Sequence, residues 1–289
     1  MRAIYSILLR KDFFFEDTSV FKRILVTTDF STHSFYAIQR AVQFAHSVQA
    51  ELICVHVINQ GWMDGGDAIK QDWVHKAEEA HEQELKQLIA PYPMQFKVLD
   101  GRVPDEIIKF IQEHSIDMVF MGAHGTYYLN DFILGTNSEA VLKQSPIPMH
   151  LIRQSPTARE YARVLVCTDF SDASKKAIEV AYKAYPQAEF LLLHVADVWY
   201  EKMVKPHMHD SLQDKLNKFL ASCAVDPSRF SVKFIGGYPA NDIPQYAKDW
   251  GADLVVLGTR GHSALYYVLM GRVSDRLVRV NPTDMLIVP

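Results

Sequence analysis

The chain repeats itself. Arg23–Ser31 reads RILVTTDFS, and Arg163–Ser171, 140 positions later, reads RVLVCTDFS. LICVHV at Leu52–Val57 returns as LLLHV at Leu191–Val195, which sets His56 against His194. IDMVFMGAHG at Ile116–Gly125 returns as ADLVVLGTRG at Ala252–Gly261, at an offset of 136. Markers that recur in one order at a nearly constant spacing mean two copies of one unit. The 289 residues therefore divide into two units of about 135–140 residues, the ordinary domain size. The expected limits are residues 21–154 and 161–289. The polar stretch Gln154–Tyr161, which contains Pro156, joins them.

Residues 1–20 precede the first copy. Their apolar run, Ala3–Leu9, ends in Arg10-Lys11-Asp12 with no small-residue cleavage site behind it, which argues against a secretory leader. Three readings stand for this segment: a poorly ordered extension, a strand added to a sheet edge, or sequence ahead of a true start near Val20.

Each copy alternates short apolar runs with longer amphipathic ones. In the first, Ile24–Thr28, Leu52–Val57, Gln95–Leu99, Met118–Met121 and Met149–Ile152 have strand length and composition. Ser31 is placed to cap a helix whose stripe is Ala37, Ile38, Ala41, Val42 and Ala45. Trp73–Ile89 reads as a second helix. Pro104, followed by Asp105 and Glu106, opens a third, and Ser138–Lys143 begins a short fourth. The second copy follows the same plan, with a shorter second helix at Ser211–Ser222. Near-continuous apolar strands alternating with helices predict an α/β fold: two tandem, doubly wound, Rossmann-like domains with parallel sheets. Ligands in such sheets bind beyond the carboxyl ends of the strands, where strand order reverses.

Composition removes several function classes. The net charge of −4 and pI of about 6.3 supply no basic field for nucleic acid or a membrane surface. No run of 18 apolar residues is present, so no spanning helix is expected. Cys54, Cys167 and Cys223 show no CxxC or Cys/His ligand spacing, and the first two sit in apolar runs, as in a reducing, cytoplasmic setting.

Chemistry is sought just after the strands. Asp29 follows the first, and Asp169 repeats it. A carboxylate there suits a ribose hydroxyl or a phosphate-bound metal; the alternative is a turn-forming aspartate. After the fourth strand come Gly122-Ala-His-Gly125, nine residues, and Gly135-Thr136-Asn137-Ser138. Copy two has Gly258-Thr-Arg-Gly261, nine residues, and Gly271-Arg272-Val273-Ser274. The glycines allow positive φ and close backbone approach, the following helix offers free N–H groups to phosphate, and Thr136 and Ser138 add hydroxyl donors. Two ordinary turns bracketing a loop is the plainer alternative.

With these residues in place, the chain resembles the universal stress protein family in its tandem two-domain form. The likeness covers residues 22–289 and rests on TDFS at Thr28–Ser31, HVI at His56–Ile58, Gly101-x-x-Pro104, IDMVFMGAHG and Gly135-Thr136. Copy two contributes TDFS at Thr168–Ser171, HV at His194–Val195, Gly236-x-x-Pro239 and ADLVVLGTRG. The resemblance implies strand order 3-2-1-4-5 and an ATP site, with a Mg or Mn ion as a possible companion. It assigns ribose and adenine to Thr28, Asp29 and Val57. The phosphates fall to Gly122, Gly125, Gly135, Thr136 and Ser138, with Met121, His124 and Asn137 along the same loop. In copy two the matching positions are Asp169, Val195, Gly258, Gly261, Gly271 and Ser274. It also implies pairing through the fifth strands, Pro148–Ile152 and Met285–Val288, as an intramolecular pseudo-dimer, with an unidentified protein partner downstream.

Copy two departs where Arg272 replaces Thr136 and Arg260 replaces His124, with Arg276 and Arg279 beyond. Arg272 either blocks a phosphate seat or clamps an anion. The expectation is a degenerate site, so ATP binds mainly in copy one. Against this stand a nucleotide-independent scaffold and a slow ATPase. A phospho-receiver pair fails, because Asp100 is matched by Ile235 and strand one ends in a single aspartate. His207-Met208-His209-Asp210 reads as a solvated loop rather than a metal cluster, His56 and His194 as satisfied core histidines, and Trp62–Asp67 as a lid.

Overall fold

The structure, a computed structural model, describes residues 20–58, 79, 92–123, 134–157, 159–197, 207–259 and 271–289. The first repeat contains β1 (Arg23–Thr28), α1 (Thr32–Val48), β2 (Glu51–Ile58), β3 (Met94–Asp100), α2 (Val103–Glu113), β4 (Met118–Gly122), α3 (Thr136–Gln144) and β5 (Met149–Ile152). The second contains β6 (Arg163–Cys167), α4 (Asp172–Ala184), β7 (Glu189–Asp197), α5 (His207–Ala221), β8 (Phe230–Gly237), α6 (Pro239–Trp250), β9 (Leu254–Gly258), α7 (Arg272–Val280) and β10 (Asp284–Val288).

The strands form one sheet in the order β3-β2-β1-β4-β5-β10-β9-β6-β7-β8. Pairing is parallel within each repeat, in the expected 3-2-1-4-5 order, and antiparallel only where β5 meets β10. That register sets Leu151 opposite Met285, His150 opposite Leu286 and Met149 opposite Ile287. Because the repeat equates His150 with Leu286, a pseudo-two-fold axis passes through this pair, as in an isologous dimer. The edge each repeat would expose alone is thereby paired.

Each face of the sheet carries one apolar layer that continues across the repeat boundary. One layer packs Ile38, Ala41 and Phe44 of α1, Ile178 and Ala181 of α4 and Leu216 and Leu220 of α5. The other packs Ile107 and Ile111 of α2, Val141 and Leu142 of α3, Ile243 of α6 and Leu277 and Val278 of α7. The aspartates of the IDMVF and ADLVV markers have a structural task. Asp117 Oδ2 accepts the backbone N–H groups of Lys22 (2.6 Å) and Arg23 (2.9 Å), and Asp253 Oδ2 accepts those of Ala162 and Arg163 (2.9 Å each). Each ties the start of a central strand to its neighbour.

Two local readings are corrected. His207–Asp210 is the first turn of α5, not a loop: the helix that carries the Leu212, Leu216, Leu220 stripe begins one turn earlier than its apolar residues indicate. The strand register pairs Ile58 with Asp100 and Ala196 with Gly236, so the counterpart of Asp100 is Gly236 rather than Ile235. Neither counterpart carries a carboxylate, so the argument against a phospho-receiver pair is unchanged.

A buried polar cluster locks the seam. Asp284 Oδ1 accepts from the backbone of Arg153 (2.7 Å) and Gln154 (3.0 Å), and Oδ2 accepts from the Tyr161 hydroxyl (2.7 Å). Arg40 of α1 lies 3.7 Å from the same carboxylate, stacks over the Tyr161 ring and donates to the Arg159 carbonyl. His150 is fully buried, stacked on Phe120 and 2.8 Å from the Tyr185 hydroxyl. Burial first, then the Arg40 charge, pulls His150 from 6.5 down to about 3. The unfolded chain therefore gains a proton at this residue well before the folded one does. The stability contributed by the neutral ring is complete above pH 6.5 and is lost as pH falls toward 3. The loss at pH 5 is roughly 2 kcal/mol. Replacing His150 by leucine, the residue at the pseudo-equivalent position, is expected to flatten the fall in urea midpoint between pH 7 and pH 5. An unchanged slope would assign the acid sensitivity elsewhere.

Candidate functional site

The chain leaves β1 outward to β2 and β3, then returns to β4 on the other side of β1. Strand order reverses between β1 and β4. The helices that follow them, α1 and α3, pack on opposite faces, so their N-termini flank the crevice where doubly wound sheets hold ligands.

The TDFS segment forms the β1 side of this crevice. Phe30 adopts φ 61°, and Phe170 in the second repeat adopts φ 65°. A bulky residue in the left-handed region costs about 1–3 kcal/mol and persists only where neighbours enforce it. Here Thr28 Oγ1 accepts from the Phe30 N–H at 3.0 Å, Asp29 Oδ1 accepts from the Ser31 N–H at 3.0 Å, and Ser31 Oγ caps α1 through the Ser34 N–H at 3.2 Å. Thr168, Asp169 and Ser171 repeat this scheme. Asp29 and Asp169 are therefore turn-forming aspartates, as the plainer reading had it, and both are also exposed at the crevice. His56 and His194 are half-buried rather than core residues. Their Nδ1 atoms lie 2.8 and 2.7 Å from the carbonyls of Thr28 and Thr168, and their rings contact Phe30 and Phe170. They brace the turn from β2 and β7. Burial, the largest cause, holds His194 below its ordinary value. Val57 follows His56, half-buried, and Val195 is buried.

The β4 side is less permissive than the glycines imply. A Cβ on Gly122 would stand 2.9 Å from the His33 carbonyl carbon and 3.1 Å from the Ser34 nitrogen. On Gly258 it would stand 2.6 Å from the Ala173 carbonyl carbon. These glycines let the strand end touch the first turn of α1 and α4; their close approach is to a helix of the same repeat. Gly135 (φ −62°) and Gly271 (φ −57°) are extended, so the expected positive φ is not used there. Ser138 is buried and donates to the Gly122 carbonyl at 2.8 Å, and Ser274 donates to that of Gly258 at 3.0 Å. Their hydroxyl protons tie helix to strand and are not available to phosphate. Met121 is buried beneath. The Gly135 N–H bonds to the Ala123 carbonyl at 2.8 Å and the Gly271 N–H to that of Thr259 at 3.0 Å, closing the base of each glycine loop.

Among the described residues, nothing caps the N-terminus of α3. Gly135 supplies no side-chain cap, and Thr136 and Asn137 are exposed. The first amides of an α-helix have no acceptor within the helix itself, and the helix dipole is positive at this end. This geometry fits an anion. At the same place on α7 the exposed residue is Arg272. His124, Gly125, Arg260 and Gly261 lie outside the described residues, as do the Trp62–Asp67 loop and all of the Trp73–Ile89 helix except Glu79. Among the described residues no three His, Cys, Asp or Glu side chains are grouped to hold a metal, and no helix is long and apolar enough to cross a membrane.

The family model of the universal stress proteins matches twice, over residues 21–153 and 160–289. The chain belongs to the universal stress protein family. Universal stress protein MJ0577 of Methanocaldococcus jannaschii is 28% identical over 156 residues, covering 47% of this chain and 96% of that protein. Universal stress protein YxiE of Bacillus subtilis is 30% identical over 146 residues, covering 44% of this chain and 99% of its own. Both are single-unit matches to a chain of two units. A universal stress protein from Archaeoglobus fulgidus shares the fold over both, with a TM-score of 0.69, 22% identity, and coverage of 92% of this chain and 97% of that one. The two universal stress protein repeats therefore share the TDFS turn, the bracing histidine and the strand-end glycine. They differ at the first turn after the glycine loop.

Proposed function

We propose that this universal stress protein binds ATP in its first repeat and serves as a nucleotide-responsive regulatory module in a cytoplasmic stress response. The reading rests on the N-terminus of α3, which has no side-chain cap and exposes Thr136 and Asn137, at the switch point where Asp29 is also exposed. The amides of that first turn receive the phosphates, and Asp29 and Thr28 meet the ribose side. Val57 lines the adenine end; His124 and Gly125, which the family resemblance adds to the phosphate loop, lie outside the described residues. Gly122, Met121 and Ser138 shape the seat from beneath. A Mg or Mn ion, if bound, takes its ligands mainly from phosphate oxygens, with Asp29 as the one carboxylate of this set. In the second repeat Asp169, Val195, Gly258, Gly271 and Ser274 keep the frame, with Gly261 matching in sequence, but Arg272 stands at the phosphate end, so binding there is weak or absent. The protein works by binding and by contact with a protein partner rather than by catalysis.

Thr136→Glu tests the reading without harming the helix, since an acidic residue in the first turn favours it. The new carboxylate stands where phosphate would sit, and ATP affinity is expected to fall at least about tenfold. Equilibrium dialysis against ATP, with circular dichroism as the check on folding, measures this. Undiminished affinity would place the ligand elsewhere.

A further inference from the structure

The first turn of α3 is not electrostatically self-contained. Glu139 closes that turn, its N–H bonding to the Gly135 carbonyl at 2.8 Å. A carboxylate there competes with any anion for the same helix end. Glu139 is three residues from Thr136 and only partly exposed, so its charge is poorly screened from the phosphate end.

Two cations hold it. Lys143, one turn along α3, approaches at 2.6 Å. Arg279 of α7, from the other repeat, forks across both oxygens at 2.6 and 3.1 Å. Arg279 also contacts Asp275 of its own helix at 3.4 Å. By the repeat, Asp275 is the counterpart of Glu139, and Arg279 that of Lys143. A symmetric pair of repeats would send Lys143 across to Asp275 in return. Lys143 pairs with Glu139 instead, so the crossing contact runs one way, from repeat two into the first turn of repeat one.

We propose that Arg279 is a positioning residue for the nucleotide site of the first repeat: it neutralises Glu139 and draws its carboxylate toward α7, leaving the amides of α3 to the phosphates. This rests on the reading that ATP binds in repeat one. It gives the second repeat a task that does not require a ligand of its own. Its arginine-rich helix completes the site of its neighbour, and any partner or modification that shifts α7 alters affinity one repeat away.

The test is a double-variant cycle on the full chain, with ATP affinity measured by equilibrium dialysis. Arg279→Gln is expected to weaken binding about three- to fivefold, the scale of one partly exposed charge at a helix end. Arg279→Lys keeps most of the affinity. Glu139→Gln alone leaves affinity unchanged or slightly tighter, and Glu139→Gln with Arg279→Gln returns it to the wild-type value. The deficit of Arg279→Gln shrinks as salt rises, which a packing role would not show. Weakening that Glu139→Gln does not rescue, or no weakening at all, overturns the proposal. A wild-type chain that binds no ATP overturns the nucleotide reading itself, and this one with it.

Discussion

Replacing Asp284 with alanine is expected to lower unfolding stability by about 3–5 kcal/mol, the cost of leaving a buried cation without its counter-charge. Asp284 is 1% exposed and Arg40 7%. Removing the carboxylate leaves the buried Arg40 guanidinium without its counter-charge, and two backbone N–H groups and the Tyr161 hydroxyl without their acceptor, in a space that water does not reach freely. The donors come from α1, from the chain between the repeats and from the start of the second repeat, while the acceptor opens β10. Loss of the carboxylate therefore loosens the seam as well as the second repeat. Urea denaturation followed by both circular dichroism and tyrosine fluorescence reads the effect. A loss under 1 kcal/mol would mean that the cluster is decorative.

The second large effect is at Gly258. Substitution by alanine puts a Cβ at 2.6, 2.7 and 2.8 Å from the Ala173 carbonyl carbon, its oxygen and the Ser174 nitrogen, all backbone atoms that no rotamer change can move. Overpacking of this kind costs about 1–3 kcal/mol. At Gly122 the same contacts are looser, at 2.9, 3.0 and 3.1 Å, so alanine there costs less. The expected order of urea midpoints is wild type, Gly122→Ala, Gly258→Ala. Gly122→Ala carries a functional cost as well, because it pushes on the first turn of α1 and through it on the TDFS turn. Equal midpoints for all three chains would show that the strand-end glycines are not required by packing.

The fold was legible because it was written twice. Hydrophobic runs and recurring markers placed the strands, and the resemblance supplied 3-2-1-4-5. The cap at Ser31 followed from residue type and position. The meaning of the glycines was less legible. A Gly-x2-Gly motif after a strand looks the same whether the space admits a ligand or a helix, and only the distance to His33 and Ser34 shows that Gly122 packs against α1. Ser138 poses a related problem: a hydroxyl at a helix start serves a phosphate or a carbonyl equally well until its burial and its bond to the Gly122 carbonyl are known. The left-handed phenylalanines had no usable signal, since phenylalanine is a poor candidate for positive φ. Contacts between repeats lay beyond the sequence, because Arg40, Asp284, Glu139 and Arg279 meet only once β5 and β10 have paired. The difference at position 272 is visible in the sequence and is the sharpest distinction between the first turns of α3 and α7.

That distinction sets the decisive measurement. Equilibrium dialysis of the intact chain against ATP, carried to saturation, counts the sites. The account predicts about one ATP per chain, with the Thr136→Glu chain binding little. Two ATP per chain of comparable affinity would show that Arg272 does not close the second repeat. No bound ATP would contradict the nucleotide reading and leave a paired scaffold of two universal stress protein repeats.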